Sequence, residues 1–186
     1  TFGRYWLTLT VKELLDRGYA VLLPEAHLQG TTFWDTNVPP YNVFWETSND
    51  HRFMELIYSE VQAGTFGTLD ASRMYATGIS SGGYMTSRMA VSYPGRFRSL
   101  AIHSGSYATC GGPACLIPSD LPPNHPPTLF VHGVLDAIVP IFTMRAYEQA
   151  LRNAGFTTAV NEDPTGGHEW LERAVTAVPN WFDQNP

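Results

Sequence analysis

Residues 73–79, Arg-Met-Tyr-Ala-Thr-Gly-Ile, form a strand-like run that passes directly into Ser80-Ser-Gly-Gly83 and a helix-compatible stretch ending at Tyr93-Pro94. A chain that turns from strand to helix with almost no loop lays that helix back on its own sheet, which favours an alternating α/β architecture. The rest of the sequence keeps the alternation. Residues 3–17 carry Trp6, Leu7, Leu14 and Leu15 at helical spacing and stop at Gly18, and Tyr19–Pro24 predicts a buried strand. A long aromatic loop with Phe33, Trp34, Tyr41, Phe44 and Trp45 precedes a helix over 50–63, with Asp50 as its N-cap. Further strands are predicted at 97–102, 128–131 and 157–161, and helices at 140–154 and 170–184. The loop joining 97–102 to 128–131 holds both cysteines and six of the 14 prolines, a composition expected on the surface. No repeat or linker interrupts the pattern, so residues 1–186 are expected to form one α/β domain, a mostly parallel sheet with helices on both faces.

Composition narrows the partners. At 44% apolar and 15% charged, the 186-residue chain is neither disordered, collagen-like nor a coiled coil. The net charge is −6 and Lys12 is the only lysine, so no basic stripe exists to meet nucleic acid. No apolar run approaches the ~20 residues needed to cross a bilayer. The sequence starts at Thr1 without a charged, then apolar, leader and reads as a mature or excised piece. Cys110 and Cys115 enclose Gly-Gly-Pro-Ala, bent enough for a local disulfide, with a pair of free thiols as the alternative. A disulfide would place the chain in an oxidising compartment, and a secreted protein is expected. No metal or other cofactor is expected: the cysteines have no histidine partner nearby, His168-Glu169 is not part of an H-E-x-x-H motif, and the glycine-rich turns lack the lysine of a phosphate loop.

Gly78-Ile-Ser80-Ser-Gly82 matches G-x-S-x-G, a tight strand-to-helix turn that exposes a serine hydroxyl at a helix N-terminus. Gly82 is expected to let the helix pack on the strand without a Cβ clash. Asp136 follows the strand at 128–131 and His168 lies in a glycine-rich loop after the last strand, giving the chain order Ser, Asp, His at the carboxyl ends of parallel strands. Asp163 is a competing acid, and His27, His51, His103, His125 and His132 are competing histidines, read as core or surface residues. The Ser81 backbone N–H is a candidate oxyanion donor. Tyr84, Trp170, Ile138 and Val139 adjoin these loops and are candidate walls for an apolar substrate, whereas Trp34 and Trp45 fit core packing better.

Together, Gly78–Gly83, His132-Gly-Val-Leu-Asp136 with Val139-Pro140, and Gly167-His-Glu-Trp170 resemble the polyhydroxybutyrate-depolymerase-type esterases of the α/β-hydrolase superfamily, from about Leu14 to the C-terminus. The resemblance implies activity on carboxylic esters, including polyesters and feruloyl esters, with Ser80 as nucleophile, Asp136 as acid and His168 as base. The sequence departs from that family at its start. It lacks the strand ending in a His-Gly loop that supplies a second oxyanion N–H, so the fold is expected to be N-terminally truncated. Losing one such donor typically costs about 100- to 1000-fold in turnover. The missing strand belongs between 19–24 and 73–79, so those two are expected to pair directly, to gain an edge from a second copy of the chain, or to leave a weakly stable sheet. Two other readings stay open: a serine peptidase of prolyl-oligopeptidase type, whose elbow is similar, and a binding module that keeps the three side chains without a working oxyanion site.

Overall fold

The computed structural model describes residues 3–26, 28–29 and 31–186. In chain order it contains α1 (Arg4–Asp16), an antiparallel pair of two-residue strands, β1 (Leu28–Gln29) and β2 (Thr31–Thr32), then α2 (Asn49–Gln62), β3 (Met74–Ile79) and α3 (Ser81–Ser92). There follow β4 (Phe97–His103), β5 (Thr128–Gly133), α4 (Ile141–Asn153), β6 (Thr158–Asp163) and α5 (Ala174–Gln184). β3, β4, β5 and β6 form one parallel sheet in that spatial order. Neighbouring residues of a strand point to opposite faces, and both faces here are covered. Ala101, Leu129 and Val131 pack beneath α1 and α5 with Leu14, Trp170, Val178 and Phe182. Leu100, Ile102 and Phe130 face the other way, toward Met85 and Met89 of α3 and Met144 and Tyr147 of α4. α2 packs outside α3 through Met54 and Tyr58.

The expected α/β fold is present, with four corrections to its parts. Tyr19–Pro24 is not a strand: Tyr19 and Val21 touch the core, but Leu22 and Leu23 are 49% and 65% exposed and the segment pairs with no described strand. A strand needs a neighbour to accept its ladder, and β3 ends the described sheet. The α2 cap is Ser48, whose Oγ accepts from the His51 N–H at 3.0 Å, because the Asp50 carboxylate turns away to accept from the Asp35 N–H at 2.6 Å. α5 starts at Ala174, so Trp170 precedes it. The cysteine-containing loop lies partly inside: Ser104–Ala108 and Cys110 are buried because the chain crosses toward α4, where the Ser106 hydroxyl donates to the Thr143 carbonyl at 2.7 Å. Cys110 and Cys115 are joined in a disulfide.

Candidate active site

Register brings the strand ends level. Ile79 pairs with His103 and His103 with Val131, the Ser80 N–H donates to the His103 carbonyl at 3.1 Å, and the Ser104 N–H donates to the Val131 carbonyl at 3.0 Å. Ser80 therefore sits at the carboxyl edge of the sheet, as the cap of α3, with φ 58° and ψ −122°. A non-glycine residue there is strained by about 1–3 kcal/mol and persists only where its surroundings hold it. The surroundings are two backbone approaches. A Cβ on Gly78 would meet the Gly82 carbonyl carbon at 2.6 Å, and one on Gly83 would meet the His103 carbonyl oxygen at 2.5 Å and Gly105 Cα at 3.3 Å. Gly82, expected to provide this clearance, faces open space; Gly83 carries out that role, because it is the α3 residue turned toward β4. Ser81 opens α3, so its N–H has no acceptor within the helix.

The loops after β5 and β6 are held together by their backbones. Gly133 pairs with Asp163, the Val134 N–H donates to the Asp163 carbonyl at 2.8 Å, and the Leu135 N–H to the Gly166 carbonyl at 2.9 Å. A Cβ on Gly133 would collide with the Gly166 and Gly167 carbonyl oxygens. That contact delivers Asp136 and His168 to each other, with His168 Nδ1 donating to Asp136 Oδ2 at 2.8 Å. Asp136 Oδ1 accepts from the Ile138 and Val139 N–H groups at 2.9 and 2.8 Å, and His132 Nε2 lies 3.4 Å from Oδ2. Burial alone would raise the Asp136 pKa, but the Val139 amide, the His168 imidazole and the Ile138 amide outweigh it and hold the carboxyl below its ordinary value. An ionised carboxylate can only accept, so it places the His168 proton on Nδ1 and leaves Nε2 as the basic nitrogen.

The competing residues have other occupations. Asp163 Oδ1 accepts from the Thr165 and Gly166 N–H groups and Oδ2 pairs with Arg173 at 3.2 Å, so it caps the turn that precedes His168. His103 is fully buried and stacked on Trp170 at 3.8 Å, and burial pushes its pKa down to about 3. His125 is likewise pushed to about 4 by burial and bonds the Tyr147 hydroxyl at 2.7 Å. Burial lowers His132, which donates to the Val139 carbonyl at 2.9 Å, and His51 bonds the Tyr93 hydroxyl at 2.9 Å. His27 lies outside the described residues.

Ser80 opens on a cleft of about 400 Å³ lined by Ser81, Tyr84, Ile138 and Val139, together with Phe33, Asn37, Val38 and Gly112. Tyr84 is 3% exposed, and burial pushes its phenol up to about 12, so it stays neutral at working pH. Trp170 is not a wall: it is 1% exposed, with its ring on His103 and its indole N–H donating to Thr10 Oγ1 at 3.0 Å. Its place in sequence beside His168 points to the cleft, but the chain turns inward there to start α5. Trp45 is core at 1% exposure, and Trp34 packs beside it, stacked on Phe53. The residues missed are Phe33, Asn37, Val38 and Gly112. They come from the aromatic loop and the disulfide loop, neither of which has a spacing tied to Ser80. No group of three metal-ligating side chains occurs among the described residues, and no described helix is long and apolar enough to cross a membrane.

A sequence model of the phospholipase/carboxylesterase family matches residues 46–185, spanning Ser80, Asp136 and His168. The chain belongs to that family. Among its curated relatives, the poly(3-hydroxyoctanoate) depolymerase of Pseudomonas fluorescens is 50% identical over 185 residues, and the match covers 100% of this chain and 66% of the depolymerase. The chain thus spans just under two thirds of that relative's length. A sugar hydrolase from Lactococcus lactis superposes with a TM-score of 0.71 at 16% identity, covering 95% of this chain and 80% of the other. The Bacillus cereus carboxylesterase gives 0.65 at 16%, covering 100% and 84%. At such identities the likeness carries the fold alone, and that fold is the α/β-hydrolase architecture common to the phospholipase/carboxylesterase family.

Proposed function

We propose that this chain is a serine carboxylic ester hydrolase that acts on polyesters, with Ser80 as nucleophile, His168 as base and Asp136 as acid. The carrying observation is a strained serine at a helix N-terminus on the same sheet edge as an imidazole whose tautomer is fixed by a carboxylate. In this reading Ser80 Oγ attacks the ester carbonyl while His168 Nε2 takes its proton. The tetrahedral oxyanion is met by the Ser81 N–H, and the protonated His168 returns the proton to the departing alkoxide, leaving an acyl-enzyme and a free alcohol. Water, deprotonated by the same nitrogen, then attacks the acyl carbon and releases the acid. Tyr84, Ile138 and Val139 line the path of the acyl or alcohol chain, an apolar wall suited to aliphatic esters.

The polyester assignment rests on the 50% identity to a poly(3-hydroxyoctanoate) depolymerase, and secretion on the Cys110–Cys115 disulfide. Two substrates test it together: p-nitrophenyl butyrate and a poly(3-hydroxyoctanoate) film, each with wild type and Ser80→Ala. Turnover of both by wild type, lost in the variant, is expected. Retained turnover in Ser80→Ala overturns the nucleophile. Hydrolysis of the soluble ester without release of hydroxy acid from the film overturns the polymer assignment, and cleavage of a dipeptide anilide in preference to the ester would make the enzyme a peptidase.

A further inference from the structure

Arg88 lies on α3, two turns beyond Ser80, and is 4% exposed. Burying a guanidinium is unfavourable unless its donors are satisfied. Its hydrogen bonds all run to one loop: Nε–H donates to Thr36 Oγ1 at 3.0 Å, and Nη2 to the carbonyls of Thr36 at 2.7 Å and Asn42 at 3.2 Å. The guanidinium also lies over the Trp45 ring at 5.2 Å. An apolar side chain at this helix position would suffice for packing; a planar fork reaching three oxygens of one loop fixes that loop's shape.

That loop carries the missed wall of the cleft. Asn37 and Val38, which face the cleft beside Ser80, follow Thr36 directly, and Phe33 precedes it by three residues. The loop is held from other sides as well: the Trp34 N–H donates to Ser81 Oγ at 2.8 Å, Thr36 Oγ1 to the Ala108 carbonyl at 3.2 Å, and Asn37 Nδ2 to the Cys110 carbonyl at 2.9 Å. Ile138 and Val139 line the same cleft from the loop that carries Asp136. We propose that Arg88 is a positioning residue that sets the distance between these two walls and so determines which ester chain the cleft accepts. It touches no reacting atom; it acts through Thr36 and Asn42 on Asn37 and Val38.

This inference rests on the ester-hydrolase reading above, and its test is separable from it. Arg88→Met fills the space without the fork, Arg88→Lys keeps the charge with a single donor group, and Thr36→Val removes an acceptor at the other end. Two readouts apply to each: kcat and KM for p-nitrophenyl acetate, butyrate and octanoate, and hydrogen exchange of the Val38, Asn42, Val43 and Phe44 amides, which bond within the loop. Arg88→Met is expected to raise KM for the octanoate ester at least about fivefold with kcat falling less than about threefold, and to flatten the preference among chain lengths. Exchange of the four amides is expected to quicken at least about tenfold. Arg88→Lys and Thr36→Val should fall between wild type and Arg88→Met on both readouts. If Arg88→Met shows no cooperative thermal transition, those two variants decide by the same measurements. Unchanged exchange in a folded variant, or loosened amides with an unchanged chain-length preference, overturns the inference. Failure of the parent reading would look different, as turnover surviving in Ser80→Ala.

Discussion

The two glycines that bracket the serine in Gly78-Ile-Ser80-Ser-Gly82 should respond oppositely to alanine. A Cβ on Gly78 stands 2.6 Å from the Gly82 carbonyl carbon, about 0.8 Å inside ordinary contact, and also meets the Gly82 carbonyl oxygen. Both obstacles are backbone, fixed by the α3 hydrogen bonds and by the Ser80 N–H to His103 bond, so no side chain can swing aside. Overpacking costs about 1–3 kcal/mol where side chains can adjust. A backbone clash at a strand–helix crossing belongs at or above that upper end, and we expect Gly78→Ala to lose about 3–4 kcal/mol. For a chain of this size that is a fall of roughly 6–16 °C in Tm. Gly82 has neither a positive φ nor a described atom within 4 Å of its added Cβ, so Gly82→Ala should gain about 0.5–1 kcal/mol from lost freedom in the unfolded chain. Thermal and urea unfolding, followed by circular dichroism, measure both. Equal destabilisation by the two substitutions, or a Gly78→Ala variant within about 1 kcal/mol of wild type, would refute the steric account of the elbow.

Three further outcomes are expected. Asp136→Asn should cut kcat about 10⁴-fold by releasing the His168 tautomer, while Asp163→Asn stays within about tenfold, measured with p-nitrophenyl butyrate. The Asp136 carboxyl sits below its ordinary pKa when folded, so its contribution to stability is complete above about pH 4 and is lost as pH falls through the folded value. Urea unfolding of Asp136→Asn should therefore have a flatter acid limb below about pH 4 than wild type, and parallel curves would contradict the assignment. Replacing Cys110 and Cys115 together by serine should cost about 2 kcal/mol in urea unfolding, the chain-entropy value for so short a ring. A cost near zero would mean that the ring constrains little in the unfolded chain.

Local rules located the elements whose partners are present. β3 and α3, β5 and the loop carrying Asp136, and α4 were legible because their apolar periods end at Gly, Pro or Ser where the chain turns. Asp136 and His168 were legible as loop residues at strand ends; what was not legible is that Gly133 has no room for a side chain, which is why the two loops meet. The segment 19–24 misled because Tyr-Ala-Val-Leu-Leu has strand propensity, yet pairing is a tertiary property and no described strand pairs with it. Trp170 misled because adjacency in sequence to His168 says nothing about direction, and its ring points into the His103 stack. Phe33 and Val38 could not be read as cleft residues: they reach the cleft through a long loop folded back by side-chain bonds to Ser81 and Arg88 of α3.

Mass spectrometry after treatment with a fluorophosphonate tests most directly the proposal that Ser80 is the nucleophile, because the probe phosphonylates only a serine whose proton is taken at the moment of attack. One equivalent is expected on the intact chain, mapped to the peptide containing Ser80, abolished in Ser80→Ala and slowed by orders of magnitude in His168→Ala. Labelling at another serine, or undiminished labelling in either variant, would contradict the account.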